Sequence, residues 1–75
     1  MNTRTPKFIE IITAKTNMLR YLLTENGLSL AAVALATNIN IQSLQAFMRL
    51  EASLSAEEAE ALARYFRLKP SAFVA

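Results

Sequence analysis

The chain contains no cysteine and no histidine. Without cysteine there is neither a disulfide framework nor a thiolate metal site, which fits a reducing, cytoplasmic setting. Without histidine the commonest metal ligand and the usual neutral-pH general base are both missing. Together these absences weigh against an enzyme, and no cofactor or metal is expected. Long hydrophobic runs are also lacking. The longest, Leu30 to Ala36, falls far below the ~20 apolar residues that a bilayer span requires. The first residues show no charged leader followed by an apolar core and a small-residue cleavage pattern, so no secretion signal is read.

Glycine and proline are scarce, at one and two residues in a chain of 75, so helix boundaries have to come mostly from capping side chains. What is present is apolar. Hydrophobic residues make up 53% and charged residues 19%, which is too apolar for a disordered chain. A domain of this size buries only about 60% of its unfolded surface, so its stability is marginal and a partner subunit helps. The net charge of +2 is unevenly spread. In residues 1–49, Arg4, Lys7, Lys15, Arg20 and Arg49 outnumber Glu10 and Glu25 and leave +3. In residues 50–75, Arg64, Arg67 and Lys69 face Glu51, Glu57, Glu58 and Glu60 and leave −1. Such a balance tolerates nucleic acid without demanding it.

Thr5-Pro6 reads as the start of a first helix, with Thr as cap and Pro in the first turn where its missing N–H costs nothing. Phe8, Ile9, Ile12, Thr16, Leu19, Leu22 and Leu23 follow helical spacing. Thr13, Thr16 and Asn17 are poor helix formers, so residues 6–25 read equally as one helix or as two meeting near Thr16-Asn17. Gly27 ends the element through the left-handed conformation. Ser29 caps a second helix, Leu30 to Thr37, and Asn38 is the next-best left-handed stop. Asn40 caps a third, Ile41 to about Leu50, with Ile39 and Leu44 placed for a hydrophobic staple. Ser55-Ala56-Glu57-Glu58 matches a capping box and opens a fourth helix to about Arg67. Pro70 begins a last turn that carries Phe73 and Val74. No stretch alternates apolar and polar residues in the manner of a strand, so the chain reads as all-α, four to five short helices without repeats.

Helices separated by only Asn38-Ile39-Asn40 cannot lie antiparallel with a relaxed loop; a turn this short with a left-handed first residue sets them near a right angle. Ala34 lets the two backbones approach, and Val33, Ile39 and Leu44 fill the angle. Taken as packing alone, this is a helical corner that many unrelated proteins use.

Residues 19–74 resemble the phage repressor/Cro-type helix-turn-helix domain, the lambda-repressor-like fold. The resemblance runs through Leu19-Arg20, Gly27-Leu28-Ser29, Val33-Ala34, Ile39, Leu44 and Phe47. It continues through Ala61-Leu62-Ala63-Arg64-Tyr65-Phe66 and closes with Leu68 and Phe73. It implies a helix-turn-helix domain over residues 19–75, preceded in residues 1–18 by an N-terminal arm or an extra or extended helix. It further implies that the third helix enters the major groove of double-stranded DNA. Carried over by position, the base readers are Asn40, Gln42, Ser43 and Ala46, with Gln45 close by. Asn and Gln suit adenine, Ser suits either base, and Ala46 offers apolar contact to a thymine methyl. Arg20 and Arg49 match phosphate-contacting positions, and Arg4 and Lys7 suit an arm reaching along the DNA. Asn40 is equally explained as a cap, and Gln42, Ser43 and Gln45 as a solvated face.

The sequence departs from the family pattern at several places. Leu30 stands where a phosphate-bonding Gln is frequent. Ala31, Ala32, Leu35 and Ala36 occupy a helix face that is usually charged. Glu51 lies in a loop that is often basic. Leu23 and Met48 replace a buried Arg–Glu pair, and such whole-pair replacement by packed hydrophobes is often neutral or stabilising; direct contact between them is expected. Phe8, Ile9, Ile11 and Ile12 put apolar residues on more than one helix face, which suits a partner or the chain's own core. Met18 reads with Met48 as core filler, and Glu57, Glu58 and Glu60 as stabilisers of a helix N-terminus rather than metal ligands. Two functions follow. One is a sequence-specific regulator of phage or mobile-element repressor type, acting as a homodimer through Pro70–Val74 or the N-terminal helix. The other is a protein-binding module on the same fold, such as an antirepressor, an antitoxin-like partner or a phage-encoded inhibitor of a host protein. It would act through Leu30, Ala31, Leu35 or the N-terminal helix.

Overall fold

Ser29, Asn40 and Ser55 each start a helix in the computed structural model, which describes residues 7–74 and, from residue 13 onward, their side chains. The described residues form α1 (Lys7–Asn26), α2 (Leu30–Thr37), α3 (Ile41–Met48), α4 (Ala56–Tyr65) and a closing 3₁₀ turn, Pro70–Phe73. Each cap works through a local hydrogen bond that satisfies an orphan N–H of the first turn. Ser29 Oγ accepts from the Ala32 N–H at 3.0 Å, and Asn40 Oδ1 accepts from the Gln42 N–H at 2.7 Å. The capping box is complete: Ser55 Oγ accepts from the Glu58 N–H at 3.1 Å, and Glu58 Oε1 accepts from the Ser55 N–H at 2.9 Å. The Thr5-Pro6 start lies outside the described residues.

All four α-helices of the described chain close in one way. A left-handed residue follows the helix, and the next N–H returns to a carbonyl five residues back. Leu28 reaches Leu23, Ile39 reaches Ala34, Glu51 reaches Ala46 and Leu68 reaches Ala63, at 2.8–3.1 Å. The left-handed residues are Gly27, Asn38, Leu50 and Arg67, with φ between 59° and 62°. α3 and α4 are therefore each two residues shorter than the sequence suggests, ending at Met48 and Tyr65. Neither Leu nor Arg advertises a left-handed stop.

α1 is one uninterrupted helix of 20 residues. Its cap-forming side chains do not break it because they find other partners. Thr16, buried, donates from Oγ1 to the Phe47 carbonyl on α3 at 3.3 Å, and Asn17 Oδ1 accepts from the Arg20 guanidinium at 2.9 Å. The core takes at least one fully buried residue from every element: Leu19, Val33, Leu44, Phe47, Leu62 and Phe73. Ile39 and Ala34 are buried at the corner between α2 and α3. Leu23 and Met48 are both partly buried and pack against this same core. Phe73 ties the closing turn to α4, the pair of elements with the most extensive packing.

Candidate nucleic-acid interface

The corner Asn38-Ile39-Asn40 decides which side of α3 faces outward. Asn38 takes φ 60°, Ile39 drops into the core, and Asn40 commits its side-chain oxygen to the start of α3. Leu44 and Phe47 are then buried, with Ile41 and Met48 partly so. Gln42, Gln45 and Arg49 are left exposed. Thr16 pins the far end of the helix by its bond to the Phe47 carbonyl. The outer side of α3 is thus a rigid, solvent-facing edge of neutral hydrogen-bonding groups.

Asn40, Gln42, Ser43 and Ala46 line one open groove of about 280 Å³, whose opposite wall is Ala52, Ser53 and Glu58. Gln45 is exposed but does not line it. Ala52 and Ser53 escaped sequence reasoning because they lie in the α3–α4 connection, which carries no motif, and Glu58 was legible as the capping-box acid of α4 but not as a wall of this groove. Thr16 was legible as a member of the apolar stripe, though its bond to α3 was not.

Charge around this edge is sparse. No charged residue occurs between Glu25 and Arg49. Arg49 is exposed, and its Nε lies 3.4 Å from Glu51 Oε2. Arg20 is exposed on α1 beside Asn17. Arg4 lies outside the described residues; Lys7 begins α1, but its side chain, like those of Phe8, Ile9, Ile11 and Ile12, is outside the described part. On α2, Ala31, Ala32, Leu35 and Ala36 are exposed, Leu35 by 86%, whereas Leu30 packs against the core. Among the described residues no group of acidic side chains could hold a metal ion, and no helix is long and apolar enough to cross a membrane.

Four α-helices with a short left-handed corner and an exposed neutral edge on the third define a helix-turn-helix protein of the kind that binds DNA. The helix-turn-helix family model matches residues 19–73, and the chain belongs to this lambda-repressor-like family of DNA-binding regulators. The matched span begins within α1, so its residues 7–18 precede the family domain. No curated protein and no solved structure matches the chain.

Proposed function

We propose that this chain is a sequence-specific transcriptional regulator of phage or mobile-element repressor type that lays α3 in the DNA major groove as a homodimer. The observation that carries this reading is the exposed edge of α3 set opposite its buried Leu44 and Phe47. Gln42 and Gln45 are the bidentate readers, Ser43 and the Asn40 amide nitrogen add single hydrogen bonds, and Ala46 meets a thymine methyl. Arg20 and Arg49 hold phosphates, and Arg4 and Lys7 add contacts from the N-terminal arm. Dimerisation through the closing turn or the N-terminal helix supplies affinity that one mildly basic subunit lacks. It sets half-sites about one DNA turn apart.

Selection of binding sites from a random duplex pool tests the reading. An enriched pseudo-palindrome supports it. Gln42→Ala or Gln45→Ala should then relax preference at single positions by ~1–3 kcal/mol, whereas Arg20→Ala or Arg49→Ala should weaken all sequences evenly and flatten the salt dependence. No binding to any duplex at micromolar protein and low salt overturns it.

One observation favours a second reading. Leu35 is 86% exposed among exposed alanines on α2, and apolar surface without charge fits a protein partner better than phosphate. In that reading the chain is an antirepressor, an antitoxin-like partner or an inhibitor of a host protein, and Leu35→Glu abolishes its action while leaving the fold intact.

A further inference from the structure

Two carboxylates flank α3, and each sits on a group that attracts anions. Glu51 is folded back beside Arg49 by the left-handed Leu50, whose turn returns the Glu51 N–H to the Ala46 carbonyl at 2.9 Å. The resulting Arg49 Nε to Glu51 Oε2 distance is 3.4 Å, with both side chains solvent-exposed. Across the groove, Glu58 Oε1 accepts the Ser55 N–H at the N-terminus of α4. Amides at a helix N-terminus are a ready anion site, and here the chain's own carboxylate takes one of them. Glu58 does so as a wall of the groove that Asn40, Gln42, Ser43 and Ala46 line. Arg49 already pairs with Glu51, and with no charge from Asn26 to Met48 the corner itself adds no further cation.

We infer that Glu51 and Glu58 are affinity-limiting residues of the DNA-binding face, internal stand-ins for phosphate that hold binding below what Arg49 and the α4 N-terminus would otherwise give. This rests on the proposed docking of α3 and adds to it that the contact is self-restrained. The two acids act differently. The Arg49–Glu51 pair is exposed and therefore weak, so an arriving phosphate exchanges with Glu51 at small cost. Glu58 is fixed by its capping box and stays, repelling the backbone across the groove. Restraint of the non-specific component leaves sequence discrimination to the neutral edge of α3.

The test compares the full chain with Glu51→Gln, Glu58→Gln and the double variant, titrated against labelled random-sequence duplex over a range of salt. Gln at position 58 retains a capping box, so the fold is preserved, and thermal melts verify it. Each variant should bind about fivefold more tightly at low salt, the worth of one unit charge about 4 Å from a phosphate in water. Glu51→Gln should leave the log–log salt slope near the parent's, because an arriving phosphate displaces Glu51 from Arg49 in the parent as well. Its gain in affinity should vanish in an Arg49→Gln background, while Glu58→Gln keeps its gain. Tighter binding by the double variant than by a parent that binds supports the inference. Equal or weaker binding by the double variant, with a parent that does bind, overturns the inference and leaves the DNA reading standing. Absence of binding by both overturns the two together.

Discussion

Leu50 and Arg67 hold a left-handed backbone with a side chain present, at φ 62° and 59°. For an L-residue that conformation costs ~1–2 kcal/mol, of which glycine's extra unfolded-state freedom returns ~0.5–1. Arg67 is exposed, so Arg67→Gly should raise stability by about 0.5–1 kcal/mol, or about 2–8 °C in Tm for a chain of this size. Gly27 shares the conformation, and a Cβ placed there meets nothing within 4 Å. Gly27→Ala should therefore lower stability by about 1 kcal/mol from backbone strain alone. Thermal melts of the two variants moving in the same direction would contradict the left-handed assignment. Gly27 and Asn38 were legible stops because their chemistry permits the conformation, whereas Leu50 and Arg67 adopt it only because the folded helices fix the chain on both sides. Thr16 is a similar case. Its buried hydroxyl bonds the Phe47 carbonyl, which also accepts the Leu50 N–H at 3.1 Å. Thr16→Val keeps the shape and leaves that carbonyl only its backbone donors, so the expected cost is about 1 kcal/mol, read as a lower urea midpoint at unchanged slope.

Between α2 and α3 the contrast is one of pattern. Ile41, Leu44, Phe47 and Met48 on α3 are spaced to one face, with glutamines on the other, so its orientation was readable from spacing. The seven residues from Leu30 to Ala36 on α2 are all apolar, and periodicity had nothing with which to tell Val33 and Ala34, which are buried, from Leu35, which is not. Spacing therefore gives Leu30 the same partner-facing expectation as Ala31 and Leu35, whereas Leu30 packs against the core. Capping boxes and staples are legible because they close within a few residues, whereas the groove wall at Ala52, Ser53 and Glu58 is assembled only when α4 docks. The contrast predicts unequal substitutions. Leu35→Glu should change stability by no more than about 0.5 kcal/mol, as at an ordinary surface site, while Leu44→Ala should cost ~2–5 kcal/mol through lost burial and a cavity. Calorimetric melts check both. A large loss at Leu35 would mean that the isolated chain already covers α2, by self-association or otherwise.

For the whole molecule the decisive quantity is how few cations can reach DNA. The net charge is +2, and the helix-turn-helix corner carries no charge from Asn26 to Met48. Arg20 and Arg49 are the described cations assigned to phosphate, and each phosphate neutralised contributes about −0.9 to the slope of log affinity against log salt. A half-site bound by one subunit should therefore show a slope of about −2, and a palindrome bound by a dimer about −4. Both are shallow, so affinity should survive moderate salt while remaining weak at low salt. Measuring the two slopes by fluorescence anisotropy separates the contributions. Equal slopes on the half-site and the palindrome would rule out the dimer. A palindrome slope near −7 would bring Arg4 and Lys7 of both subunits onto the backbone, since four further contacts add about −3.6. Arg4→Ala together with Lys7→Ala should then return the slope to about −4 without touching sequence preference, because an arm that meets only phosphate carries affinity but no base readout.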